Sequence, residues 1–247
     1  MAFRKFLSAL GVNAPEVETV LDRDAYRPGE RANATVTLRG GGADVEIARL
    51  GLDVVTRFED MEPVEGEWTN PGVVVSQTVA EGFELGAGRE HVLQVPVDLP
   101  WETPLTHVLG GRRLRGGRVA VRTELSIDGA VDRGDFDEFA VHTLPAQDLV
   151  LAAFGDLGFR FDEAEVKKGT PKQSVASRVN YWQEIEMWFP PEYGYTGAQL
   201  EFVFNAREDA MDLLFGNAGR LTLAYAGLDA ERCRSEIDAY SRSLFQR

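Results

Sequence analysis

Four arginines, Arg112, Arg113, Arg115 and Arg118, fall within seven positions, with the glycine pairs Gly110-Gly111 and Gly116-Gly117 beside them. Guanidinium forks suit phosphates and carboxylates. Glycine makes a loop mobile and lets its backbone come close to whatever it meets. In a chain of net charge −14 this is the sharpest local contrast. Such a loop could dock an acidic partner, a lipid headgroup or the acidic face of a second copy. The plainer reading is a flexible, solvated hairpin whose cations meet nearby Asp and Glu. Trp101 sits in a stiff, extended stretch between Pro100 and Pro104. It either plugs the end of a β-sandwich or stands exposed as a binding anchor. The run Pro190-Pro191-Glu192-Tyr193-Gly194-Tyr195 is a second aromatic loop open to the same two readings.

The remaining reactive residue types point to structure. His91, His107 and His142 are far apart and share no metal-ligand spacing, so ordinary structural histidines are expected. Cys233 falls on the apolar stripe of a C-terminal helical pattern and reads as a buried small hydrophobe. The acidic run Asp128, Asp132, Asp135, Asp137 and Glu138 invites a calcium site. Counted from Asp128, however, position three is Ala130, position six Arg133 and position twelve Phe139, which fails the EF-hand pattern. A solvated hairpin turn fits that run better. No G-x-S-x-G, H-E-x-x-H or Walker A sequence is present. No catalytic residue, metal ligand or cofactor is assigned. The rival readings are a calcium- or small-ligand-binding module and a hydrolase using the Asp132–Glu138 cluster.

The elements that would position these residues are mostly strands. Alternating or apolar runs mark 17–21, 34–38, 45–58, 73–79, 90–97, 118–127 and 135–143. The third changes phase near Ala48-Arg49-Leu50, as a β-bulge does. Pro28-Gly29 reverses the chain between the first two. Seven strands at this spacing, with no interleaved helical period, indicate an antiparallel sandwich. Pro145 opens a helical pattern through Leu157, and strands follow at 158–166, 175–189, 199–204, 212–215 and 220–224. Asp229 caps a closing helix with Cys233, Ile237, Tyr240 and Leu244 on one stripe. Residues 158–175 echo the opening syntax of the chain about 140 residues later, which favours two sandwiches. The reading is all-β: antiparallel β-sandwich domains over 1–144 and 145–247, with short N-terminal, linking and C-terminal helices.

Charge and composition narrow the partners. An acidic surface repels a phosphate backbone, so no nucleic-acid partner is expected. A single cysteine leans toward a reducing, cytoplasmic setting. Phe3, Phe6, Leu7 and Leu10 line one face of a short N-terminal helix that packs on the first sandwich. Phe3 and Phe6 would make only a marginal membrane anchor, which leaves a peripheral membrane protein as a third reading. Open sandwich edges can pair between copies, so a homodimer is among the expected assemblies.

Several of these stretches also carry a family resemblance. They include Phe3-Arg4-Lys5-Phe6-Leu7, Val17-Glu18-Thr19-Val20-Leu21-Asp22 and Tyr26-Arg27-Pro28-Gly29-Glu30. Further along come Leu99-Pro100-Trp101-Glu102-Thr103-Pro104-Leu105-Thr106, Val121-Arg122-Thr123-Glu124-Leu125-Ser126-Ile127 and Ala130-Val131-Asp132-Arg133-Gly134-Asp135-Phe136-Asp137. In this order they resemble the bacterial sporulation-control protein M family, over about residues 3–160. Gln183-Glu184-Ile185-Glu186 extends the likeness into the second half. The arginine loop departs from the family pattern by its basic content. The resemblance implies two arrestin-like β-sandwich domains and a non-enzymatic regulatory adaptor or scaffold. Such a protein would act through protein–protein contacts in sporulation, development or cell division. Arg112, Arg113, Arg115, Arg118 and Trp101 are the candidate partner-binding residues.

Overall fold

In the third strand, Ala32, Ala34, Val36 and Leu38 are buried while Arg31, Asn33 and Arg39 face water. A two-residue period of this kind commits one face of a sheet to the core. The structure is a computed structural model and describes residues 14–59, 68, 70–170, 179–194 and 197–244. The expected N-terminal helix with Phe3 and Phe6 lies outside the described residues, as do positions 175–178 of an expected strand.

The first half runs β1 (Glu16–Leu21), β2 (Ala25–Tyr26), β3 (Arg31–Arg39), β4 (Val45–Thr56), β5 (Gly72–Leu85) and β6 (Glu90–Asp98). It continues through β7 (His107–Val108), β8 (Arg112–Arg113), β9 (Val119–Ile127), β10 (Arg133–Glu138) and β11 (Ala140–Val141). Helix α1 (Pro145–Asp156) follows, then β12 (Arg160–Lys168), β13 (Tyr181–Trp188), β14 (Gln199–Ala206), β15 (Ala210–Leu214) and β16 (Arg220–Ala224). Helix α2 (Ala230–Ser243) closes the described chain.

Two antiparallel sheets build most of the first half, in the orders β1-β3-β6 and β10-β9-β4-β5, beside a short parallel β2-β11 pair and the β7-β8 hairpin. Leu38 of one and Leu50, Leu52 and Leu125 of the other are fully buried in a shared core. Each such leucine contributes about 1.5–3 kcal/mol by leaving water. The phase change in β4 is a register shift against β9 between Ile47 and Arg49. Pro28-Gly29 forms the expected turn, with Gly29 at φ 81° and Glu30 N–H donating to Arg27 C=O at 3.1 Å. Strand β5 forms one outer edge, and within it Gly82 adopts φ 60°, with no atom within 4 Å of where a Cβ would stand.

The second half is one five-stranded antiparallel sheet in sequence order, β12 to β16. Among the described residues, helices cover one face of it. Phe154 of α1 stacks on Phe202 of β14 with ring centroids 5.0 Å apart, and Phe215 meets Tyr240 of α2 at 4.9 Å. The two helices also pack on each other. Pro145 starts α1, where the Gln147 side chain accepts from Leu144 N–H at 2.8 Å. Asp229 accepts from Arg232 N–H at 2.8 Å to cap α2, whose inner face holds Cys233 and Ile237. One apolar cluster runs from Tyr26 in the first half to Ile237 in the last helix.

Candidate functional site

The arginine segment is a short hairpin stitched into the seam between the halves. Strand β8 pairs with β7, setting Arg113 opposite His107 and Arg112 opposite Val108. Leu114 is buried, and its N–H donates to Thr106 C=O at 2.7 Å. Ala164 N–H of β12 donates to Arg115 C=O at 3.0 Å. Sequence alone favoured glycines that loosen the loop, whereas here they allow backbone-to-backbone contact. A Cβ at Gly116 would lie 2.3 Å from Ala164 O, and one at Gly117 2.3 Å from Leu105 O. Gln183 of β13 completes the seam. Its side-chain amide accepts from Leu105 N–H at 2.7 Å and donates to Leu105 C=O at 2.8 Å, imitating a strand partner.

Each arginine side chain finds its own neighbour. Arg118 forms a two-pronged pair with Glu138 and lies 5.6 Å from the ring centre of buried Trp68. Arg113 reaches the same Glu138 at 3.5 Å, and Arg115 reaches Glu163 across the seam at 3.3 Å. Arg112 lies over Phe161, 5.5 Å from the ring centre. Arg113 and Arg115 stay 64% and 76% exposed, so their pairs are open to exchange with solvent and other anions.

Trp101 is half-buried over the Pro28-Gly29 turn, where a Cβ on Gly29 would meet its ring at 2.7 Å. It closes that end of the first half and also borders a groove toward Asn205 and Arg207. Of the aromatic loop, Tyr195 lies outside the described residues, and Tyr193 joins the loop to α2: its ring packs on Phe159 and its hydroxyl donates to Asp238 at 2.5 Å.

The acidic run of the β9–β10 hairpin ties the hairpin together and to β1, whose Thr19 N–H donates to Asp135 at 2.5 Å. Asp132 accepts from Ile127 N–H at 3.1 Å and Glu138 takes the arginines. Cys233 is buried, which pushes its thiol up to about 11, with Glu236 adding to the shift. His91 is an exposed residue of β6. The other two histidines, distant in sequence, meet in space. His107 and His142 stack with centroids 5.0 Å apart and planes 10° apart, through a parallel bridge between their backbones. Burial, then the charges of His142 and Arg113, hold His107 below the ordinary histidine value.

A charge cluster that sequence reasoning missed lies on the face of the second sheet opposite the helices. Lys167 stands 2.5 Å from Glu184, 3.8 Å from Glu165 and 3.9 Å from Glu59 and Glu186. Burial works against the Lys167 charge, but Glu184, Glu59 and Glu201 together raise its pKa above the usual lysine value. Glu186 is pushed up to about 7, by burial first and then by the charge of Glu165. Glu165 is also raised, chiefly because it shares a hydrogen bond with Glu59. Asp162, Glu163 and Glu186 bring carboxylate oxygens within 4.8 Å of one another, the set among the described residues spaced to hold a cation. Gln199 donates to Asp162 at 2.8 Å and to Glu186 at 3.1 Å, so this chain already supplies donors there. The signal was present in alternating charges at 163, 165 and 167 and at 184 and 186. No helix among the described residues is long and apolar enough to cross a membrane.

Comparison with known proteins places this architecture. The family described as SpoOM protein matches residues 3–218. The sporulation-control protein spo0M of Bacillus subtilis (strain 168) is 32% identical over 216 residues, covering 86% of this chain and 79% of that protein. The crystal structure of Spo0M, sporulation control protein, from Bacillus subtilis superposes with a TM-score of 0.78 at 27% identity. That likeness covers 94% of this chain and all of the other. With the family match spanning most of its length and a relative of this closeness, the chain belongs to the SpoOM protein family.

Proposed function

We propose that the protein is a non-catalytic regulatory adaptor that acts by surface contacts in the cytoplasm, in the control of sporulation, development or division. The observation that carries this reading is the arginine hairpin. Its backbone is locked to both halves, while Arg113 and Arg115 present exposed guanidiniums to their glutamates. Exposed pairs of this kind contribute about 0–1 kcal/mol to stability. An acidic protein partner can therefore replace Glu138 and Glu163 at little cost, and the fixed backbone presents the two forks in one geometry. The name of the B. subtilis relative, a sporulation-control protein, supports the regulatory role.

The test is affinity capture from the native host with Arg113→Glu combined with Arg115→Glu. The melting temperature is expected to stay within a few degrees of wild type, with at least one specific partner lost from the capture. An unchanged set of captured partners at physiological salt would remove the hairpin from the docking surface.

A further inference from the structure

A cavity of about 340 Å³ opens beside the arginine hairpin, where β8, α1, β12 and β13 come together. Its apolar lining includes buried Val108, Leu151, Phe159 and Met187, together with half-buried Phe161. Two charged residues line it, Arg112 and Arg160, and no carboxylate does. In a chain of net charge −14 that pairing is unusual. Arg113, Arg115 and Arg118 each hold a glutamate. Arg112 and Arg160 form no ion pair among the described residues, and Arg112 instead lies over the Phe161 ring.

We propose that this cavity binds an anionic amphiphile, with a carboxylate or phosphate headgroup between Arg112 and Arg160 and an acyl or alkyl tail on the apolar floor. The forked donors of arginine match both headgroups. The volume falls in the range of small-molecule sites, about 300–1,000 Å³, and an apolar lining with a few charged groups is their usual chemistry. An inserted peptide would bring backbone amides against Val, Leu, Phe and Met, where they would lose their water without finding partners. A single hydrocarbon tail has no such groups. Because β8 belongs to the first half and β12 to the second, the headgroup would touch both sides of the seam.

Gly155 supplies an independent handle. It is exposed near the end of α1 and lines the cavity, and a Cβ there would meet nothing within 4 Å. Replacing glycine within a helix favours the folded state, so Gly155→Leu can block the cavity without unfolding the protein.

The experiment is isothermal titration of the full chain with sodium decanoate and with decyl phosphate, both below micelle formation. Decanol and inorganic phosphate serve as comparison probes. Decanoate or decyl phosphate is expected to bind at least about tenfold more tightly than either of these, since head and tail both contribute. Arg112→Gln with Arg160→Gln should weaken binding about tenfold, and Gly155→Leu should abolish it with an undiminished melting temperature. Tighter binding of decyl phosphate assigns the site to a phosphate headgroup, and tighter binding of decanoate to a carboxylate. The proposal is overturned if neither amphiphile binds, if decanol or inorganic phosphate alone binds as well, or if Gly155→Leu leaves binding intact. Arg113→Gln with Arg115→Gln should weaken decanoate binding less than Arg112→Gln with Arg160→Gln does, which separates this site from the docking role of the hairpin.

Discussion

Glu186 and Asp212 stand on the same face of one sheet, on β13 and β15. The register that sets Glu186 opposite Glu201 and Asn205 opposite Asp212 places them there. They are similarly hidden, 7% and 2% exposed, yet their carboxyls move in opposite directions. Burial disfavours the charge of both. At Asp212 the hydrogen bonds from Arg207 at 2.6 Å and Thr222 at 2.7 Å overcome burial and hold the carboxyl below its ordinary value. At Glu186 burial and the neighbouring Glu165 act together, against Lys167 at 3.9 Å, and the carboxyl rises to about 7. Depth in the fold therefore does not set ionisation on this sheet. Whether a cation is close enough to donate does.

The sharpest way to break this contrast is Asp212→Ala, which takes the shared acceptor away from Arg207 and Thr222. It should cost about 3 kcal/mol in urea unfolding near neutral pH, the loss of hydrogen bonds to a charged group, and not more because the Arg207 side chain is 34% exposed and stays hydrated. The sign with pH follows from the lowered carboxyl. Its stabilisation is present above the ordinary aspartate value of 3.8 and is lost as pH falls through the lower folded value, so the penalty shrinks in acid. A smaller effect is expected from Lys167→Met, about 1–3 kcal/mol near pH 8, because it leaves Glu59, Glu165, Glu184 and Glu186 without their shared cation. That loss should shrink as pH falls through about 7, where Glu186 takes up its proton, and a pH-independent loss would mean that Lys167 acts by packing. The change of opposite sign is Glu186→Gln, a gain of up to about 3 kcal/mol near pH 8. The folded value of Glu186 lies above its unfolded 4.5, so its stabilising share is complete below about 4.5 and disappears as pH climbs through about 7. Wild type should lose stability over that window and the glutamine variant should lose less. Parallel curves for the two proteins would show that Glu186 is not the group that titrates.

The features read correctly in the sequence are those settled by neighbours along the chain. Strand β3 shows its buried face in alternate residues, the bulge in β4 announces itself at Ala48-Arg49, and Pro145 and Asp229 mark where the helices begin. Features made by distant segments were hidden. Nothing local to β12 says that helices will cover the second sheet, since the apolar side chains of Ile185, Met187 and Phe202 would suit a facing sheet equally well. Arg112 was singled out for its neighbours in sequence, but its cavity needs Arg160, which arrives only when β12 docks on the hairpin. His107 and His142 meet by the same long-range route. The Lys167 cluster was visible as alternating charge, and was passed over because strand recognition counted the apolar positions and not the charged ones between them.

Strand β5 is fourteen residues long and borders its sheet, a template on which copies of a protein can stack into fibres. Gly82 interrupts that template. Its left-handed backbone turns the row of amides out of line, and exposed Glu81 and Glu84 set negative charge on either side of the break. The same glycine that touches nothing in the folded molecule thus bends the outer edge of the longest described strand, the kind of irregularity by which edge strands are kept from pairing with other copies.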